Sequence, residues 1–181
     1  VSNVMFISAG NIRSAIITSD GLVFATGNNP YGQLGDGTIT NRSSFVQAIG
    51  ISNAVAISAS SSYHHVVALR SDGLVFGTGS GNQGELGDGT VTNRNTFVQA
   101  VGVSNVIAIA AAKFHSIALC SDGNVYATGQ AGYGMIGDGA NVARSSFVQA
   151  LGISNAIGIA AGQYHSTALR SDGIIFACGY N

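Results

Sequence analysis

One tripeptide, Ser-Asp-Gly, recurs at Ser19-Asp20-Gly21, Ser71-Asp72-Gly73, Ser121-Asp122-Gly123 and Ser171-Asp172-Gly173, at intervals of 52, 50 and 50 residues. Each of the first three copies is followed, 16 residues after its Asp, by Gly-Asp-Gly centred on Asp36, Asp88 and Asp138. Eight residues further on comes Phe-Val-Gln-Ala, starting at Phe45, Phe97 and Phe147. A period near fifty residues predicts a solenoid or a propeller and rules out reading the chain as unrelated segments. The repeat divides the chain into residues 1–50, 51–102, 103–152 and a partial copy at 153–181. It also limits chemistry, because all seven Asp residues are repeat positions and no carboxylate pair is left over for catalysis.

Composition narrows the class further. Hydrophobic residues make up 46% of the 181 and charged residues 8%, against about 25% charged in an average soluble domain. That balance excludes disorder, while the apolar runs are far shorter than the ~20 residues of a membrane-spanning helix. A net charge of -1 with Lys113 as the single lysine argues against nucleic acid, which needs clustered cations. Cys120 and Cys178 fall at non-equivalent repeat positions and are read as small apolar residues, with no disulfide framework or metal spacing. Sparse charge with abundant Ser, Asn, Thr and Gly points to an extracellular or particle-surface setting. The chain opens at Val1 on a repeat start and stops at Asn181 in mid-repeat. A processed chain, a piece of something larger, and a half-repeat supplied from elsewhere all stay open.

The third copy reads most clearly as strands. Residues 106–111 form a short, wholly apolar run that fits a strand buried on both faces. Residues 116–119, introduced by His115, form a second strand; Ser121-Asp122-Gly123 turns the chain, with Gly taking positive φ. Residues 124–128 form a third strand, 129–144 a long glycine-rich excursion, and 147–150 a short fourth strand. Four short antiparallel strands repeated at this period describe a β-propeller blade, so the chain is predicted to be all-β, with three complete blades and one incomplete.

Three motifs resemble the regulator of chromosome condensation family of seven-bladed propellers: Gly162-Gln163-Tyr164-His165-Ser166-Thr167-Ala168-Leu169, Asp122-Gly123-Asn124-Val125-Tyr126-Ala127-Thr128-Gly129, and Gly32-Gln33-Leu34-Gly35-Asp36-Gly37. The chain departs from the family in three ways. Thr26, Thr78, Thr128 and Cys178 stand where the family commonly has tryptophan, and the proline ahead of the fourth strand is absent. Arg13 replaces the repeated histidine in copy one, and copy two carries two extra residues around Ser60-Ser61-Ser62. The resemblance implies a diverged relative of the nuclear exchange factor rather than its counterpart.

His65, His115 and His165 occupy one slot per repeat and are expected to bond a backbone group of their own or the next blade, because neighbouring blades hold such residues too far apart to share a metal. Asp36, Asp88 and Asp138 are expected to accept N–H bonds in their turns and to pair with Arg42, Arg94 and Arg144, six residues on. The Asp20, Asp72, Asp122 and Asp172 series is likewise structural. No cofactor, metal or catalytic residue is assigned. Residues that differ between copies are the candidates for partner contact: Arg13, Tyr31, Tyr63, His64, Asn82, Glu85, Lys113, Phe114 and Tyr133. The functional expectation is a non-enzymatic propeller scaffold that binds another protein or copies of itself, through these loops and an open blade edge. An eight-bladed dimer, a closed four-bladed monomer and a fragment of a longer ring are the possible assemblies. The family resemblance also implies two other functions, secreted enzyme inhibition of the β-lactamase inhibitory kind and guanine-nucleotide exchange on a small GTPase.

Overall fold

A computed structural model describes residues 1–61 and 64–180. Its strands fall in four separate antiparallel sheets, one per repeat. The first sheet is β1 (Val4–Ala9), β2 (Arg13–Thr18), β3 (Val23–Gly27) and β4 (Arg42–Gln47). The second holds β5 (Ala54–Ala59), β6 (His65–Arg70), β7 (Val75–Gly79) and β8 (Arg94–Gln99). The third holds β9 (Val106–Ala111), β10 (His115–Cys120), β11 (Val125–Gly129) and β12 (Arg144–Gln149). The fourth has three strands, β13 (Ala156–Ala161), β14 (His165–Arg170) and β15 (Ile175–Gly179). Each sheet runs in sequence order from the inside out, and the first strands β1, β5, β9 and β13 touch in succession. This is the propeller architecture, with sheets packed face to face as consecutive blades. No helix among the described residues is long and apolar enough to cross a membrane.

The core lies between blades. Ile17 and Val23 of blade one pack on Ala54, Val66, Ala68 and Phe76 of blade two. Val67, Leu69 and Val75 of blade two meet Val106, Ala118 and Phe147 of blade three, and Leu119 and Val125 meet Ala156 and Ala168 of blade four. Period-2 alternation sends successive side chains of one strand to opposite neighbours, so every internal blade needs apolar residues on both faces. The strand buried on both faces is therefore the second, β10, in which all six residues are buried. The first strand is not, contrary to expectation. Ile107 is exposed, as are Met5, Val55 and Ile157 in the same slot, because the innermost strands have a sheet on only part of their circumference.

The fourth strand also begins earlier than predicted, at Arg144 rather than Phe147. Thr128 Oγ1 lies 2.8 Å from both the Arg144 and the Gly84 carbonyl, its proton shared between them. The threonine that stands in the tryptophan slot thus holds the start of the fourth strand against the loop of the preceding blade. At the opposite end, Gly21 (φ 75°) turns the chain so closely on the next blade that an added Cβ would lie 2.6 Å from Asn53 Cα. Asn53 itself takes φ 54°, a conformation asparagine tolerates better than most residues. Blade one and blade four each leave one face uncovered. The four blades form an open arc, which removes the closed four-bladed monomer.

Candidate interaction surface

All β1–β2-type and β3–β4-type loops emerge at one end of the arc, and the Ser-Asp-Gly turns at the other. The variable residues collect at the first end, but not all of them reach solvent. Arg13, the first residue of β2, is buried, and its Nη2 donates to the Ser60 carbonyl at 2.8 Å and the His65 carbonyl at 2.9 Å. Desolvation lowers its pKa to about 10. Glu85 is also buried; its Oε1 accepts from Ser80 Oγ at 2.8 Å and its Oε2 from the Gln83 amide at 2.7 Å. Burial raises the Glu85 pKa. In the same slot of blade one, Gln33 Oε1 accepts from the Tyr31 amide at 2.9 Å, so Glu85 organises its loop as Gln33 does. Neither Arg13 nor Glu85 can be a contact residue, since both already serve the packing between or within blades. An off-pattern charge in the sequence signalled an altered internal bond instead.

The remaining described candidates lie along a largely aromatic rim. The Tyr31 ring stacks on His64 of the next blade, with centroids 4.7 Å apart and planes at 15°. Desolvation, with Arg13 nearby, lowers the His64 pKa. Lys113 Nζ lies 4.8 Å above both the Phe114 and Tyr164 rings and donates to Tyr164 Oη at 2.7 Å. Tyr133 is 64% exposed and meets Tyr180 edge-on at 4.8 Å and Tyr164 at 6.4 Å. Its φ of 65° is unusual for a bulky residue and turns its ring outward. Asn82 is exposed at the same end, and Tyr63 lies outside the described residues. Tyr164 and Tyr180 were absent from the sequence-based set. The signal for Tyr164 was available, because the slot before the repeated histidine reads Ile12, His64, Phe114, Tyr164 and is aromatic in three copies.

The repeated histidines lock adjacent blades. His65 Nε2 lies 3.1 Å from Ser116 Oγ and His115 Nε2 lies 2.8 Å from Ser166 Oγ. Each serine hydroxyl donates its own proton to a loop carbonyl, Ser116 to Glu85 at 2.7 Å and Ser166 to Met135 at 3.0 Å. The ring must therefore donate from Nε2, which fixes the tautomer. The partner is a side chain of the next blade, not the backbone group expected, because Ser116 and Ser166, the residues after His115 and His165, supply the hydroxyls for the histidines of the preceding blades. Burial lowers the pKa of His65 to about 3 and of His115 to about 4. His165, in the same slot of blade four, is exposed. Among the described residues no three His, Cys, Asp or Glu side chains converge to hold a metal.

The two Asp series differ. Asp36, Asp88 and Asp138 sit 2.7, 2.7 and 2.6 Å from the Nη2 atoms of Arg42, Arg94 and Arg144. Burial tends to raise the Asp36 and Asp88 pKa values, but hydrogen bonds from Thr38, Arg42, Thr90 and Arg94 bring both below the usual value. At the far end Asp72 is held by Arg70 Nη2 at 2.6 Å, Asp172 by Arg170, and Asp122 by the Asn124 amide at 3.0 Å. Asp20 accepts from Thr18 Oγ1 at 2.5 Å. The side-chain bond lowers the pKa of Asp20 and of Asp72, the Asn124 backbone bond that of Asp122, and Arg170 that of Asp172 to about 2. Cys120 and Cys178 are free thiols.

The regulator of chromosome condensation (RCC1) repeat matches residues 20–69 and 72–119, and a second form of the same repeat matches 6–33, 106–134 and 156–181. Protein RCC2 of Homo sapiens is 38% identical over 82 residues, 45% of this chain and 16% of that protein. The crystal structure of human WBSCR16 superposes with a TM-score of 0.85 at 25% identity, over 98% of this chain and 48% of that one. Prp20p from Saccharomyces cerevisiae superposes with a TM-score of 0.78 at 26% identity, over 97% of this chain and 43% of that one. The chain thus spans less than half the length of each of these relatives.

Proposed function

The chain belongs to the regulator of chromosome condensation (RCC1) repeat family, and from that premise we propose that it is a non-enzymatic propeller that binds a protein partner through the aromatic rim. The observation that carries this reading is the gathering of Tyr31, His64, Phe114, Tyr133, Tyr164 and Tyr180 at one end of the arc. All of them come from positions that vary between otherwise repeated blades. Tyrosine and phenylalanine rings bury much area at small entropic cost, which suits a recognition surface. The opposite end carries short turns whose carboxylates are already bonded to neighbours in their own turn, and offers no comparable feature. The titratable groups support the non-enzymatic reading. His65 and His115 are buried in inter-blade bonds and Glu85 in its loop, so none stands beside a cleft as an acid or base.

Prp20p is described as binding Gsp1p and histones, and a protein partner for this chain is consistent with that precedent. Among the described residues none favours the secreted-inhibitor or the nucleotide-exchange alternative. The test is capture by the immobilised chain from an extract, run beside Tyr133→Ala/Tyr164→Ala and Asp72→Asn variants, with bound species read by mass spectrometry. A partner retained by the wild type and Asp72→Asn but lost by the rim variant supports the proposal. Identical capture by all three would sink it.

A further inference from the structure

We infer that blade three carries a binding site for a guanidinium group, the arginine side chain of a partner protein, in the cleft between Asp122 and Tyr126 at the Ser-Asp-Gly end. The residue two before each aspartate of that tripeptide is Thr18, Arg70, Cys120 or Arg170, and the residue four after it is Phe24, Phe76, Tyr126 or Phe176. In blade two, Arg70 Nε and Nη2 donate to the two oxygens of Asp72 at 2.9 and 2.6 Å, and the guanidinium carbon lies 4.9 Å from the Phe76 ring centroid. In blade four, Arg170 bonds both oxygens of Asp172 and lies 5.6 Å from the Phe176 centroid. In blade one the Thr18 hydroxyl serves Asp20. Blade three differs, because Cys120 Sγ donates instead to the Ser104 carbonyl at 3.2 Å. Burial raises the thiol pKa to about 11, so this proton stays in place at neutral pH.

The shorter side chain leaves a cleft of about 260 Å³, lined by Ser104, Asn105, Cys120, Ser121, Asp122 and Tyr126 among others. Its walls include the two groups that hold Arg70 in blade two, an exposed carboxylate and an aromatic ring. A guanidinium suits that pair better than an ammonium, because it is flat, stacks on a ring and can give one N–H to each carboxylate oxygen. Asp122 accepts the Asn124 amide at Oδ1 (3.0 Å) and Asn124 Nδ2 at Oδ2 (2.9 Å). The first bond is compatible with a bound guanidinium, since in blade two Asp72 Oδ1 accepts the Leu74 amide at 3.3 Å as well as Arg70. The second comes from a neutral amide, and a carboxylate oxygen has a further lone pair for a second donor. Charge points the same way. Arg70 and Arg170 neutralise Asp72 and Asp172, whereas the turn of Asp122 holds no arginine or lysine.

The probe is N-acetyl-arginine amide, titrated into the isotope-labelled full chain at low salt and followed through backbone amide shifts by NMR. Saturable shifts at Ser104, Asn105, Asp122 and Asn124 are expected, with a dissociation constant on the order of 10 mM for one exposed ion pair and one ring contact. The neutral citrulline analogue should give none, and the lysine analogue should bind about threefold more weakly. Cys120→Arg, which gives blade three the side chain of blades two and four, should abolish binding without lowering the thermal melt. Asn124→Leu releases Oδ2 and should tighten binding about threefold. Cys120→Ala keeps the cleft and should bind as the wild type does. Tyr133→Ala/Tyr164→Ala should do the same, so this result and the fate of the rim are read separately. Absence of saturable shifts up to ~100 mM probe would overturn the inference. So would equal binding of the citrulline or lysine analogue, or undiminished binding to Cys120→Arg.

Discussion

The junction between blades one and two and the junction between blades two and three do the same job with different atoms. At the second, His65 reaches the Ser116 hydroxyl. At the first, the residue in the serine slot is Val66, which offers no hydroxyl, and the residue in the histidine slot is Arg13. Arg13 reaches past Val66 to the Ser60 and His65 carbonyls, at the point where copy two carries its two extra residues. The departures in Arg13, Val66 and the insertion form one coupled change. A side chain in this lattice is constrained by its mate in the next repeat more than by its equivalents along the sequence.

Acid should separate the two junctions most strongly. Folded His65 and His115 take up a proton only near pH 3 and pH 4, whereas an unfolded histidine does so near pH 6.5. Between those values the unfolded chain binds more protons, so the stability contributed by the neutral rings is complete above about pH 6.5 and is lost as pH falls. By pH 4 the loss is on the order of 3 kcal/mol per histidine. Arg13 keeps its charge throughout this window and adds no slope. Asp36 and Asp88, with lowered pKa values, add their losses only below the usual carboxylate range, at about pH 4. Urea unfolding at pH 8, 6 and 4 should show the fall beginning near pH 6.5, and a His65→Gln/His115→Gln variant should flatten it. A wild-type stability that is level down to pH 4 would contradict this account.

Removing the first lock outright is the next largest effect. Arg13→Ala strips both carbonyls of their charged donor and should cost about 3 kcal/mol. Arg13→His alone should recover little, because Val66 gives the imidazole nothing to bond. Adding Val66→Ser should restore the pair, with a coupling of about 1 kcal/mol in a double-mutant cycle read by chemical denaturation. Strict additivity of the two changes would show that the junctions are not interchangeable.

The repeat made the blades, their order and their turns legible from sequence, because period and turn chemistry are local. The Asp36–Arg42 type of pair was legible for the same reason, with six residues separating the partners. Inter-blade bonds were not, because His65 and Ser116 are 51 residues apart and only the fold makes them neighbours. Arg13 and Glu85 broke the repeat pattern and so resembled surface variation, but burial shows each substituting for a structural residue. Tyr180 was missed because its slot holds Asn28, Ser80 and Gln130 in the other copies, so no pattern marked it. The first strand was misassigned as doubly buried because an apolar run records hydrophobicity without recording how many sheets lie around it.

A second lock is common to both junctions and offers the finest comparison. Thr78 Oγ1 lies 2.9 Å from the Gly32 carbonyl of blade one, and Thr128 Oγ1 lies 2.8 Å from the Gly84 carbonyl of blade two. Each also approaches the carbonyl that starts its own fourth strand, Arg94 at 3.0 Å and Arg144 at 2.8 Å. Valine has the same shape without the hydroxyl, so Thr78→Val and Thr128→Val should each cost about 1 kcal/mol. For a chain of this length that is a fall in Tm of roughly 2 to 4 °C. Equal costs would place the difference between the junctions in the arginine and histidine locks alone. A Thr78→Val cost well above that of Thr128→Val would mean that the first junction, lacking the histidine–serine bond, leans harder on its threonine.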